Sequence, residues 1–100
     1  MVGLMSGTSL DGVAAAVVRF TDRDDGGVNA ELVGFTQHAY TREQHDRLAR
    51  ALVECSPADY CRLAFDLGEW LANAAATAIG EAGVGRSEVA AVASHGQSIW

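Results

Sequence analysis

The chain has 100 residues, a formal net charge of −6 and a hydrophobic content of 49%. That length is enough for about one small domain, and the acidic balance argues against nucleic acid or an anionic membrane as a partner. All seven basic residues are arginines, which excludes a Walker-type phosphate loop and a Schiff-base lysine within these residues.

The chain opens with two predicted strands, residues 2–5 and 13–20, on either side of a short loop. We call residues 7–12 the first loop. Its glycines allow the backbone to turn and to approach a ligand closely, and successive backbone N–H groups in such a turn form an anion site. Hydroxyl donors come from Ser6, Thr8 and Ser9. The loop therefore favours phosphate binding over an ordinary hairpin turn.

Asp11 gives the first loop a more specific meaning. A carboxylate repels a phosphate unless a divalent cation lies between them. The sequence therefore predicts a nucleotide–Mg²⁺ site, with Asp11 contacting the metal. The alternative is that Asp11 braces the turn through an Asx-type hydrogen bond.

Turn residues 24–27 separate the second strand from a third predicted strand, residues 28–37. Three strands joined by short loops predict an antiparallel meander. The nearby acidic residues Asp22, Asp24 and Asp25 are expected to form a solvated hairpin tip and not a cation site. His38 and His45 are both expected at the surface.

Two helices should follow the strands. Thr41 and Gln44 form a capping box that predicts a helix over residues 42–54. Its buried face should hold Leu48 and Leu52, and its surface the ion pairs Glu43/Arg47 and Asp46/Arg50.

Ser56 and Pro57 are typical of a second helix N-terminus. Gly83 should cap the end of this helix. One apolar stripe at helical spacing predicts its buried face: Leu63, Leu67, Trp70, Leu71, Ala74 and Ala78.

The last predicted strand is a short apolar run, residues 89–93, expected to be buried and to join the sheet in parallel. The second loop, residues 95–98, follows it. The end of such a strand is where α/β proteins place ligand contacts. Gly96 permits close approach, and the amide of Gln97 both donates and accepts hydrogen bonds, which suits a sugar. The alternative is that His95 and Gln97 only brace a turn. The pattern β-β-β-α-α-β predicts an α/β fold with a mixed sheet.

Two other features limit the function. Cys55 and Cys61 have neither a redox nor a zinc spacing, so we expect free thiols in a reducing compartment. No apolar run approaches the roughly 20 residues of a membrane span and no signal peptide pattern is present, so the expected location is the cytoplasm. A Ser9/His95/Asp11 hydrolase is disfavoured, because Asp11 stands where the nucleophile elbow needs glycine.

Two segments of the chain resemble one known family, the anhydro-N-acetylmuramic acid kinases. The first segment is Met5-Ser6-Gly7-Thr8-Ser9-Leu10-Asp11-Gly12, and the second is Ala93-Ser94-His95-Gly96-Gln97-Ser98-Ile99-Trp100. The resemblance implies an actin-like (ribonuclease H-like) ATPase fold, of which residues 1–100 would form the N-terminal part of the first domain. The sequence differs from the family pattern at Ala14, where the family commonly has Asp, and at Ser98, where Thr is usual.

The resemblance also implies an activity. The family uses ATP and water to open 1,6-anhydro-N-acetylmuramic acid and to phosphorylate its 6-oxygen, during cell-wall recycling. The implied ATP-binding residues are Gly7, Thr8, Ser9, Leu10, Asp11 and Gly12. The implied sugar-binding residues are His95, Gly96, Gln97 and Ser98.

The family's general-base aspartate lies downstream of residue 100, so no residue here is expected to be catalytic and the segment alone should be inactive. A homodimer is the assembly considered for the full-length enzyme. Two alternatives stay open at this point: an actin-like kinase for another sugar, and a non-catalytic nucleotide-binding module.

Overall fold

The structure is a computed structural model, and it describes residues 1–7 and 9–98. Four strands and two long helices form an α/β fold, as predicted. The strands are β1 (Val2–Ser6), β2 (Gly12–Asp22), β3 (Val28–Ala39) and β4 (Val92–Ser94). The helices are α1 (Arg42–Val53) and α2 (Pro57–Glu81), and a short 3₁₀ turn covers Arg86–Glu88.

The sheet has the order β3-β2-β1-β4. The three N-terminal strands form the predicted antiparallel meander, and β4 lies parallel to β1. The prediction for the last strand was otherwise wrong: it starts at Val92, after the 3₁₀ turn, and its three residues are exposed. β4 is exposed because it forms the edge of the described sheet, with β1 as its one strand neighbour.

Both helix N-termini are capped by the residues that the sequence indicates. The Thr41 hydroxyl accepts a hydrogen bond from the Gln44 backbone at 3.1 Å, and the Gln44 side chain returns one at 2.9 Å. Ser56 accepts from the Asp59 backbone at 3.1 Å, with Pro57 in the first turn. Each cap satisfies backbone donors that the first helical turn leaves free.

The end of α2 differs from the prediction by one residue. Ala82 is the C-cap, and Gly83 follows it with φ +70°. Hydrogen bonds from Gly83 to Gly80 and from Val84 to Ile79 close a Schellman motif. Glycine is favoured there because it adopts the left-handed conformation without a Cβ penalty.

The surface of α1 was predicted less well. Arg47 does not pair with Glu43 in the described chain, and instead contacts Asp66 of α2 at 2.7 Å. Leu52 is 43% exposed, whereas Leu48 and Ala51 are buried. The helix is rotated so that Leu48 and Ala51 face α2, and an ion pair between the two helices replaces the pairs expected within one helix.

The core has two parts. The larger one lies between the inner face of the sheet and α2, and contains Val2, Leu4, Val13, Ala15, Val17, Leu71, Ala74, Ala75, Ala78 and Ile79. The smaller one, which we call the helix cluster, consists of Leu10, Leu48, Ala51 and Leu63. The opposite face of the sheet exposes large apolar side chains, among them Met5, Phe20, Leu32 and Phe35.

Candidate functional site

The first loop joins β1 to β2 and forms one wall of an open cleft of about 450 Å³. The ends of β2 and β3 form the other wall. Four of the predicted nucleotide-binding residues line this cleft, namely Gly7, Ser9, Asp11 and Gly12. Thr8 lies outside the described residues. The loop in which the sequence predicts phosphate binding therefore lines this cleft together with residues of β1, β2 and β3.

Leu10 has a different position from its neighbours. Its side chain is buried in the helix cluster, and its backbone has φ +57°, in the left-handed region. That conformation costs roughly 1–2 kcal/mol for an L-residue. Burying a leucine side chain contributes about 1.5–3 kcal/mol, so burial offsets the strain. Leu10 therefore anchors the middle of the first loop to the two helices.

The glycines at the two ends of the loop serve different purposes. A Cβ on Gly12 would lie 2.0 Å from the carbonyl oxygen of His38, so β2 and β3 can approach each other only because this residue is glycine. A Cβ on Gly7 would meet nothing nearer than Ser9 Oγ at 3.9 Å within the described chain, and Gly7 does not have positive φ. The backbone conformation of Gly7 is therefore one that other residues can adopt, and close approach of a ligand is the remaining reason for glycine at this position. Its open surroundings leave room for a ligand.

Asp11 is exposed at the mouth of the cleft. Its backbone oxygen accepts a hydrogen bond from the Tyr40 N–H at 2.9 Å. No hydrogen bond to the Asp11 carboxylate is found within residues 1–7 and 9–98, so the Asx-brace alternative gains no support there. The described part of the chain holds no group of three metal-binding side chains. A lone exposed carboxylate suits Mg²⁺, which is often held by one or two carboxylates together with phosphates and water.

Ser6 does not face the cleft as a free donor, and that expectation was wrong. Its side chain is 1% exposed, and its hydroxyl lies 2.5 Å from the Tyr40 hydroxyl. Ser6 donates its one proton to Oε1 of Gln97, so the Tyr40 hydroxyl must donate to Ser6. Ser6 is the middle of a hydrogen-bonded chain that runs inside the molecule.

Gln97 brings the second loop against the first. Its Nε2 donates to the carbonyl oxygen of Gly7 at 3.3 Å and to that of Ser98 at 3.2 Å. The two loops are distant in sequence but adjacent in space, because β1 and β4 are parallel neighbours and end at the same edge of the sheet. Sequence reasoning placed Gln97 on a separate loop and missed this contact.

The rest of the second loop is more open. His95 is exposed, and its backbone N–H donates to Leu4 at 3.1 Å. Gly96 has φ +72°, and its N–H donates to Ser94 Oγ at 2.9 Å. Ser98 is exposed. The side chains of His95 and Ser98 are therefore accessible to a ligand beside the first loop.

Comparison with known proteins identifies the family of the chain. The family described as anhydro-N-acetylmuramic acid kinase matches residues 1–100. The chain belongs to this family. Proteins named anhydro-N-acetylmuramic acid kinase are 41% identical over 101 residues in Xanthomonas campestris pv. campestris (strain 8004), 36% over 104 in Bacillus thuringiensis subsp. konkukian, and 33% over 101 in a Picosynechococcus strain.

These kinases are much longer than this chain. The matches cover 98–100% of the chain but 26% of each relative, so it spans about a quarter of their length. The α/β architecture of the chain is consistent with the N-terminal part of an actin-like ATPase. No helix among residues 1–7 and 9–98 is long and apolar enough to cross a membrane.

The chain contains one further polar group whose predicted position was wrong. His38 was expected in a surface loop, but it lies in β3 and is half-buried. Its Nε2 is buried without a hydrogen-bond partner in the described part of the chain. Side chains alternate between the two faces of a strand, so the face of β3 that buries Thr36 also holds His38. This alternation in the sequence could have predicted that His38 faces inward.

The hydrolase alternative finds no support in the described residues. No hydrogen bond joins Ser9, Asp11 and His95 within residues 1–7 and 9–98, and nucleophilic catalysis by such a group needs its members within hydrogen-bond reach.

Proposed function

We propose that this segment forms the nucleotide-binding N-terminal part of a kinase of the relatives' length. That kinase would open the anhydro ring of 1,6-anhydro-N-acetylmuramic acid with water and transfer a phosphoryl group from ATP to the 6-oxygen. The product would be N-acetylmuramic acid 6-phosphate, formed in the cytoplasm during peptidoglycan recycling. The observation that carries the proposal is the family match over residues 1–100, together with the cleft on the first loop.

The ATP phosphates would lie in the cleft against Gly7, Ser9 and Gly12. With no lysine in the segment, binding would depend on backbone N–H groups and on the Ser9 hydroxyl. Thr8 would contribute through its backbone N–H in the same loop. The Leu10 N–H donates to the Gly7 carbonyl, so Leu10 would contribute by holding the shape of the loop. The open space beside Gly7 supports this placement, since a phosphate could approach the backbone there.

Asp11 would hold Mg²⁺ at the mouth of the cleft. When bound, the metal would neutralise and gather the phosphate oxygens, which is its general role in phosphoryl transfer. Asp11 is fitted to this role because its carboxylate is exposed beside the loop. Its backbone is fixed by Tyr40, so the carboxylate starts from a rigid position.

The sugar would lie beside the second loop. His95 and Ser98 offer exposed polar side chains there, and Gly96 allows close approach. This loop adjoins the first loop through Gln97, so a sugar bound there would lie near the phosphates. Residues 1–100 would thus supply part of both sites, in the first actin-like domain. The homodimer stays a prediction that the contacts of one chain do not address.

The test is an assay of the full-length enzyme with ATP, Mg²⁺ and 1,6-anhydro-N-acetylmuramic acid in ¹⁸O-labelled water. We expect the sugar 6-phosphate by mass spectrometry, with one ¹⁸O atom at the opened anomeric carbon and one ADP formed per sugar. N-acetylglucosamine and N-acetylmuramic acid serve as control acceptors. Phosphorylation of a control sugar without the anhydro sugar would assign the segment to a different sugar kinase.

A further inference from the structure

Three of the four hydrogen-bonding sites of the Gln97 side chain are used by the protein. Its Oε1 accepts from Ser6, and its Nε2 has two hydrogens, which go to Gly7 and Ser98. One acceptor site on Oε1 is left over. This is the hydrogen-bonding pattern of a side chain that joins parts of the protein.

The partners of Gln97 are themselves held in place. Ser6 is buried, and its hydroxyl accepts a hydrogen bond from the Tyr40 hydroxyl. The Tyr40 ring contacts Trp70 with centroids 5.9 Å apart, and the backbone N–H of Tyr40 donates to Asp11. The chain of contacts therefore begins at a packed aromatic pair between β3 and α2.

This network reaches both ends of the first loop. Gln97 holds the carbonyl of Gly7 at the start of the loop, and Tyr40 holds the carbonyl of Asp11 at its end. Because a peptide group is planar, fixing a carbonyl also fixes the direction of the N–H group in the same plane. Backbone N–H groups are the donors through which this loop would bind phosphate.

We infer that Gln97 is a positioning residue for nucleotide binding, which orients the first loop through the Gly7 carbonyl. This inference rests on the proposed function, since it assumes that the loop holds the ATP phosphates. It differs from a sugar contact, because its effect falls on a ligand that Gln97 does not touch. Ser6 and Tyr40 act in the same unit, and Gln97 connects the unit to the second loop.

The test compares Gln97→Ala and Gln97→Glu in the full-length enzyme. Glutamate keeps the length and an acceptor oxygen, but it loses the N–H donors to Gly7. We expect both variants to bind ATP about tenfold more weakly, the change expected from one lost hydrogen bond, measured by calorimetric titration. Asn29→Ala is the matched control, since it removes an exposed carboxamide at the far end of β3, and it should bind ATP normally.

Comparing single and double variants separates a shared positioning role from general destabilisation of the fold. Ser6→Ala should also weaken ATP binding, and the Ser6→Ala/Gln97→Ala double variant should be little worse than either single variant, because the two residues act as one unit. A sugar affinity that falls in Gln97→Ala while ATP affinity is unchanged would overturn the inference, as would fully additive effects. If Gln97→Ala does not fold, Gln97→Glu and Ser6→Ala carry the same comparison.

A ligand-free measurement separates this inference from the proposed function. The Leu10 N–H donates to the Gly7 carbonyl at 3.2 Å, the same oxygen that Gln97 holds. Gln97→Ala should therefore speed hydrogen exchange of the Leu10 amide about tenfold without nucleotide, while exchange in β2 stays unchanged. Faster exchange in an enzyme that binds no ATP would contradict the proposed function but support the role of Gln97 in positioning the first loop. Unchanged exchange of the Leu10 amide would refute that positioning role.

Discussion

Gly12→Ala should destabilise the fold through a contact between two backbones. The added Cβ would lie 2.0 Å from the carbonyl oxygen of His38 and 2.9 Å from the Cα of Ala39. Carbon–oxygen contacts in sheets are normally no shorter than about 3.3 Å, so the strands would have to separate by more than an ångström. Both atoms belong to β3, which is paired with β2 along its length, so no flexible side chain can move aside.

The expected cost follows from this geometry. Overpacking a well-packed site costs typically about 1–3 kcal/mol, and a clash with paired backbone belongs at the upper end. We therefore expect the free energy of unfolding to fall by about 3 kcal/mol, which is roughly a hundredfold in the folding equilibrium. Urea denaturation of the full-length enzyme measures the loss, and native-state hydrogen exchange over β2 and β3 locates it.

Two further glycine variants make the comparison specific. Gly3→Ala adds the same methyl group in β1, where nothing in the described chain lies within 4 Å, and should change stability by less than about 0.5 kcal/mol. Gly7→Ala should likewise leave stability unchanged, but should weaken ATP binding because its Cβ would occupy the space proposed for phosphate. If Gly12→Ala proves as stable as Gly3→Ala, the argument from strand approach is refuted.

Three other predictions concern the same site. Residues 1–100 alone should show no sugar phosphorylation in a coupled ADP assay, because the general base that the family resemblance implies lies downstream of residue 100; turnover by the purified segment would contradict this. Asp11→Asn should lower turnover more than it weakens nucleotide binding, and unchanged turnover with unchanged Mg²⁺ dependence would remove the metal role. Leu10→Ala should lower the free energy of unfolding by about 2–4 kcal/mol and speed hydrogen exchange in the first loop, and a fully stable variant would show that this anchor is unimportant.

The features that could be predicted from the sequence are those set by residues close together in the chain. The capping residues Thr41 and Ser56 act within one helical turn, and the turn at residues 24–27 is set by its own glycines, so these features could be placed without a partner. The meander and the parallel pairing of β4 followed from the order of the elements. The exposure of β4 could not be predicted from its apolar run, because it depends on which strands lie beside it.

The errors share one physical cause, which is contact between distant parts of the chain. Ser6 was predicted to donate to an anion, but in the fold its hydroxyl is hydrogen-bonded to Tyr40 and Gln97. Leu10 looked like one more loop residue, and its anchoring depends on Leu48. The predicted site segments were nevertheless placed side by side, because both follow strands that end at one edge of the sheet.

Because Leu10 is buried against α1, the temperature at which the first loop loses its structure should depend on how firmly α1 is attached. Two buried residues, Leu48 and Ala51, and the ion pair from Arg47 to Asp66 hold this helix, whereas β2 and β3 pair along their length with one register shift, between Val17 and Val18. On warming, α1 should loosen before the sheet does, since weakly attached elements open first, and the first loop would then lose its inner support. Nucleotide binding at the proposed site would consequently weaken at temperatures where the sheet is still intact, and bound nucleotide would raise the temperature at which this happens.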